Sequence, residues 1–213
     1  MSRNALLLLF FLAMLAVLGF AGCSNRERNS SGPASGSAYQ GTELGGPASD
    51  FRLEDQNGTT IALSDFRGQV VVVAFLDPEC TDVCPLTANQ FRLTAEKLGE
   101  DTGRVVFLVV NVNPQKNSLG DVVEATKKWG VQNLRNWHYV TGARDELEPV
   151  YKSYNVLAEG PPKPDKPSEL AHTPGAYVID KLGQKRWYIS TNFEGAPPLH
   201  ELLLKHIGAL LNE

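Results

Sequence analysis

The stretch Val70-Val71-Val72-Val73-Ala74-Phe75-Leu76-Asp77-Pro78-Glu79-Cys80-Thr81-Asp82-Val83-Cys84-Pro85 decides how this chain folds. Its first half is an unbroken apolar, β-branched run too short for a buried helix, and it predicts a strand covered on both faces. The residues after Pro85 change period: Phe91, Ala95 and Leu98 recur at helical spacing. Pro85 suits the first helical position, where the missing N–H costs nothing, so Cys84 is expected near the N-cap. There the positive end of the helix favours a thiolate. Two cysteines at a strand–loop–helix junction are set up for soft-metal or disulfide chemistry.

Outward from that junction the pattern repeats. Arg104–Val110 is a second continuous apolar run, hence a second central strand, and Asp121–Gly130 reads as the helix after it. Trp137–Val140 is a short strand, and Glu146–Tyr154 a helix presenting Leu147, Val150, Tyr151 and Tyr154. Gly160–Pro167, with four prolines, is an exposed loop of polyproline character. Gly175–Asp180 and Gln184–Ile189 flank a turn as a β-hairpin, and Leu199–Leu211 is a terminal amphipathic helix. Upstream, Phe51–Leu53 and Thr59–Leu63 flank the turn signal Asn57-Gly58. Alternating strands and helices predict an α/β sandwich around a central mixed sheet.

The chain has 213 residues, 42% of them hydrophobic, and a net charge of −4. With no basic run, that charge argues against a nucleic-acid partner. Residues 1–22 read as a signal peptide: Arg3 precedes the apolar run Ala5–Ala21, which ends in Phe20-Ala21-Gly22-Cys23. Small residues before a cysteine resemble the lipobox of bacterial lipoproteins, which implies cleavage before Cys23 and lipid on Cys23. An uncleaved membrane helix is the alternative. Either way the domain is expected tethered at the extracytoplasmic face of the bacterial cell membrane. Residues 23–46, rich in Ser, Gly, Asn and Pro, are expected to be a flexible tether, with the folded domain at 47–213.

Three cysteines then divide as one for lipid and a pair. A pair four residues apart closes too small a loop to be a useful staple, so Cys80 and Cys84 read as reactive. His138, His200 and His206 have no ligand neighbours at metal-site spacing and read as structural. Trp129, Trp137 and Trp187 read as core or sheet residues. Asp77, Glu79 and Asp82 read as solvated loop charges with at most a weak influence on the thiols.

Together these residues resemble the thioredoxin superfamily and, within it, the Sco/SenC family of copper-handling proteins for cytochrome oxidase assembly. The family's Cys-x-x-x-Cys-Pro is matched by Cys80, Cys84 and Pro85, and its downstream His by His172 in Ala171-His172-Thr173-Pro174. Its Trp-x-x-x-Thr-Gly element is matched by Trp137, Thr141 and Gly142, and its opening Phe-x-Leu by Phe51 onward. Where the family has an acidic Asp-Pro-x-Arg-Asp segment after the second central strand, this chain has Asn111-Val112-Asn113-Pro114-Gln115-Lys116-Asn117-Ser118, and Ala171 stands where an Asp is usual. Pro174 stands where thioredoxins place the cis-proline facing their cysteines.

The resemblance implies a thioredoxin-like (peroxiredoxin-type) sandwich with an N-terminal β extension. It implies copper, as Cu(I) or Cu(II), on Cys80, Cys84 and His172. The implied partners are the copper-bearing subunit of cytochrome c oxidase and a copper donor protein or thiol reductant. A thiol–disulfide oxidoreductase using Cys80 and Cys84 without an obligatory metal is the alternative, favoured by Thr173-Pro174. The proline–threonine–cysteine signature of peroxiredoxins is approached only by Pro78, Thr81 and Cys84, with spacing one short.

Overall fold

The computed structural model describes residues 39–158, 174–191 and 196–213. Strand β1 is Thr42–Glu43, β2 Arg52–Asp55, β3 Thr60–Ala62 and β4 Val70–Leu76. Helix α1 (Val83–Leu98) leads to β5 (Val105–Asn111), then α2 (Leu119–Lys128), β6 (Trp137–Thr141) and α3 (Arg144–Ser153). Strands β7 (Ala176–Ile179) and β8 (Lys185–Ile189) precede α4 (Leu199–Leu211). The strands form one sheet in the order β1-β8-β7-β4-β5-β6-β2-β3.

Strands β4 and β5 are buried along their whole length, as their apolar runs predict. They pair in parallel from Val70↔Val105 to Leu76↔Asn111. On one face Val72, Ala74, Leu76, Phe107 and Val109 meet α1, α2 and α4. On the other, Val71, Val73, Phe75, Leu108 and Val110 meet Leu147, Val150 and Tyr151 of α3. The period-2 alternation of side chains thus feeds both layers.

Parallel pairing sends the chain out of β4 and β5 at the same edge, so the loops 77–82 and 112–118 lie side by side. The third chain segment at this edge comes from β7, antiparallel to β4, with Ala176 opposite Ala74. Pro174 and Gly175 therefore reach the sheet where the cysteine loop leaves it. Added at Gly175, a Cβ would sit 2.5 Å from the Tyr188 ring, which explains a glycine here.

The helices and strands expected among the described residues are present with shifted ends, while the Gly160–Pro167 loop and residues 1–38 lie outside the described residues. The helix expected at Asp121–Gly130 begins earlier because Ser118 caps it, accepting from Asp121 N at 3.2 Å while Asp121 accepts from Ser118 N at 3.0 Å. Similarly, α3 begins at Arg144, where Glu146 Oε2 accepts from Ala143 N at 2.7 Å. The expected tether is corrected in its last part: Thr42 and Glu43 pair with Tyr188 and Trp187, and Pro47 bridges to Gln184. Low sequence complexity hid a strand because its stability comes from the partner edge. The N-terminal β extension is split, β1 on one sheet edge and the β2–β3 hairpin on the other.

Candidate metal and thiol centre

Cys80 lies in the loop after β4, and Cys84 is the second residue of α1. Helix α1 starts two residues before the position expected from Pro85, because the Asp82 carboxylate accepts from Val83 N at 2.6 Å. Pro85 is tolerated there since the first four helix N–H groups have no intrahelical acceptor. Both sulfurs are thiols rather than a disulfide. Cys80 is 3% and Cys84 0% exposed.

The two residues are in direct contact. Cys84 N donates to Cys80 Sγ at 3.3 Å, and Cys80 Sγ lies 3.1 Å from Asp82 Oδ1. A hydrogen bond from Cys84 is the largest influence on the Cys80 thiol and holds its pKa below the ordinary thiol range despite burial. Cys84 goes the other way: burial, then its bond to Cys80, push it well above that range. The site therefore distinguishes a sulfur prepared to be a thiolate from one prepared to keep its proton.

Beneath the loop is a polar network absent from the sequence reading. Asp77, expected to be a solvated charge, is 0% exposed. Its Oδ1 accepts from Glu79 N at 2.9 Å and from Asn113 Nδ2 at 2.9 Å. Asn113 N in turn donates to Asn111 Oδ1 at 2.8 Å, and Asn111 Nδ2 donates to Thr141 Oγ1 at 3.1 Å. Tyr139 and Tyr151 hydroxyls donate to the carbonyls of Leu76 and Asn111 at 2.8 and 2.6 Å. The segment 111–118, which carries no acidic residue, thus braces the cysteine loop from the adjacent strand. Its one signal in the sequence was a pair of asparagines directly after an apolar strand. Glu79 and Lys116 join the two loops at the rim, 3.7 Å apart.

The remaining histidines are structural. His138 Nδ1 is 2.9 Å from Asp55 Oδ2, His200 Nδ1 is 2.7 Å from Gln90 Oε1, and His206 stacks on Trp187 with Nε2 2.6 Å from Gln40 O. Trp129 and Trp137 are buried in the core, while Trp187 is half-buried in β8. His172 and Cys23 lie outside the described residues, as do Ala171 and Thr173. Pro174 is described: its carbonyl accepts from the Tyr188 hydroxyl at 2.7 Å. Among the described residues no three His, Cys, Asp or Glu side chains group as a metal site. Their part of the expected donor set is the sulfur pair, and two adjacent sulfurs suit a soft ion such as Cu(I).

A family model described as SCO1/SenC matches residues 40–202. The SCO2-like protein RP587 of Rickettsia prowazekii is 25% identical over 155 residues, covering 69% of this chain and 70% of that protein. The mitochondrial SCO2 homolog of Bos taurus is 24% identical over 163 residues, 75% of this chain and 59% of the bovine protein. This chain thus spans about six tenths of the bovine relative. Three solved structures share the fold. Arabidopsis thaliana ScoI with copper bound has a TM-score of 0.66 at 18% identity, covering 78% of this chain and 99% of that one. A SCO1/SenC family lipoprotein from Bacillus anthracis gives 0.65 at 19% identity, covering 80% and 98%. BsSco, in which a disulfide switch was identified and which is described as a Sco family cytochrome c oxidase assembly protein, gives 0.64 at 17%, covering 81% and 97%. The sandwich is thioredoxin-like, as expected.

Proposed function

Since this chain belongs to the SCO1/SenC family, we propose that it carries copper on Cys80, Cys84 and His172 and delivers it to the dinuclear copper site of cytochrome c oxidase during assembly. The observation that carries this reading is the contact between two buried thiols, Cys84 N on Cys80 Sγ at 3.3 Å, at the edge where three chain segments converge. His172 is two positions upstream of Pro174, and two residues of chain span at most about 7 Å. That reach supports an imidazole joining the sulfurs from the β7 side.

In this reading copper is cargo. Cys80, already biased to the thiolate, supplies the first sulfur, and Cys84 gives up its proton as it becomes the second. His172 supplies a nitrogen that sets the site apart from a bare dithiol. Burial of the pair excludes water, and release then proceeds by ligand exchange with a partner that offers sulfur or imidazole donors of its own. The copper-bearing oxidase subunit is the proposed acceptor, and a copper donor protein or a thiol reductant supplies the pair. Cleavage before Cys23 and lipidation of that residue would hold the domain at the extracytoplasmic face of the membrane. Among the described residues no helix is long and apolar enough to cross a membrane.

The opposite pKa displacements of the two cysteines favour a second reading, thiol–disulfide exchange. The Cys80 thiolate would attack a partner disulfide and expel one partner thiolate. Cys84 would then attack Cys80 in the mixed disulfide and release the other. The partner gains two electrons, the pair is oxidised, and a thiol reductant must restore it.

One titration tests the first reading against the second. The full chain carrying Cys23→Ser, reduced and anaerobic, is titrated with Cu(I) and Cu(II), alone and with Cys80→Ser, Cys84→Ser or His172→Ala. One tightly held copper, lost with either sulfur and weakened without the imidazole, is the expected result. Failure to retain copper against a modest chelator, with a readily reduced Cys80–Cys84 disulfide, would leave the exchange reading.

A further inference from the structure

We propose that Asp77 is the positioning residue of the cysteine pair and that its buried negative charge biases the pair toward Cu(II) over Cu(I), an inference that rests on the copper reading above. Asp77 is linked to both cysteines through its own backbone. Its carbonyl accepts from Cys80 N at 3.0 Å, and its N–H donates to the Cys84 sulfur. Its side chain meanwhile closes the turn by accepting from Glu79 N at 2.9 Å. One residue therefore fixes where the loop begins, where Cys80 sits and how Cys84 is oriented. From the neighbouring strand, Asn113 Nδ2 holds the same carboxylate oxygen at 2.9 Å.

The charge has a consequence separate from that bracing. Asp77 is 0% exposed, so its field reaches the sulfurs through protein rather than water. The carboxylate accepts from the N–H of Glu79, the residue directly before Cys80, at 2.9 Å, while the Asp77 carbonyl holds Cys80 N at 3.0 Å, which places this charge within electrostatic reach of the pair. Two thiolates with Cu(I) carry a net charge of −1, and with Cu(II) they are neutral. A fixed carboxylate nearby opposes the more negative state. It therefore lowers the Cu(II)/Cu(I) potential and weakens Cu(I) binding relative to Cu(II).

Asp77→Asn separates the two roles, because the amide oxygen still accepts from Glu79 N while the charge is gone. The test measures Cu(I) and Cu(II) dissociation constants by chelator competition on the full chain carrying Cys23→Ser, with a thermal melt of each metal-free variant. Asp77→Asn is expected to move the ratio of the two constants toward Cu(I) by about tenfold or more, or about 59 mV upward in the one-electron potential. Asp77→Glu, which keeps the charge, and Asn113→Ala, which removes the brace alone, are expected to stay within about threefold of the parent ratio. Should Asp77→Asn not fold, Asp77→Ser is the second uncharged variant. An unchanged ratio in the uncharged variant, while Cys80→Ser still abolishes binding, overturns the Asp77 inference and leaves the copper reading standing. Equal shifts in Asp77→Asn and Asn113→Ala also overturn it, since loop geometry rather than charge would then set the preference. No copper held by the parent protein removes both.

Discussion

At the scale of single residues the cysteine pair is unequal, and the inequality is measurable. Cys80 is expected to be alkylated first in the reduced, metal-free protein, with a midpoint below the ordinary thiol range. Replacing Cys84 by Ser weakens the strongest donor to that sulfur, so the Cys80 midpoint is expected to move back up. Mass spectrometry of a pH series reads both, and equal rates for the two cysteines would contradict the arrangement. Asp55 offers a second residue-level test. Burial opposes its charge, but hydrogen bonds from His138, Thr59 N and Asn57 N outweigh that and leave its pKa below the usual carboxylate value. A folded pKa below the unfolded one gives stability that is present above the unfolded value and lost as pH falls through the folded one. Asp55→Asn is expected to cost about 1–3 kcal/mol at pH 7 and progressively less as the pH falls below the ordinary carboxylate value toward the lower folded one, as read from urea unfolding across a pH series. The expectation of a reactive pair at Cys80 and Cys84 came from cysteine count and spacing, and the structure places the two in contact. Asp77 was not, because nothing local separates a loop aspartate in water from one under a neighbouring strand's asparagine.

At the scale of elements, most of the structure was legible because the strong patterns are local. Val70–Leu76 and Val105–Val110 are apolar throughout and could only be central strands, and the Leu199–Leu211 helix has the bounds its leucines predict. Helix starts were less legible. They depend on side chains reaching back to the chain, such as Asp82, Ser118 and Glu146, whose capping bonds go with starts two residues earlier than expected. The junction before β7 is tightly determined in space. Gly175→Ala would place a methyl 2.5 Å from the Tyr188 ring, whose hydroxyl also holds the Pro174 carbonyl at 2.7 Å. We expect that substitution to cost about 1–3 kcal/mol in thermal or urea unfolding, and to weaken copper retention with it if His172 approaches from this side. A variant as stable as the parent would show that the β7 entry relaxes freely.

For the whole molecule, the strap 39–47 is the segment whose role composition hid. Tyr39 OH accepts from Ser190 N at 2.8 Å, Gln40 O meets His206 at 2.6 Å, and Thr42–Glu43 extends the sheet beyond β8. A chain beginning at residue 47 is expected to melt several degrees below one beginning at residue 39, since lost pairing of about 1–3 kcal/mol shifts Tm by that much in a domain this size. Equal melting temperatures would return those residues to the tether. What the sequence by itself determined is the set of elements, their α/β alternation and the two cysteines at a strand–helix junction, because each is written in periodicity and spacing within a few residues. What only the tertiary structure decided is the neighbourhood of those cysteines. Parallel pairing of β4 with β5 sets Asn113 against Asp77, antiparallel β7 brings Pro174 to the same edge, and burial turns a loop carboxylate into a fixed charge. Contacts between residues tens of positions apart depend on strand order and register, and those are settled by the shared core rather than by any local run of residues.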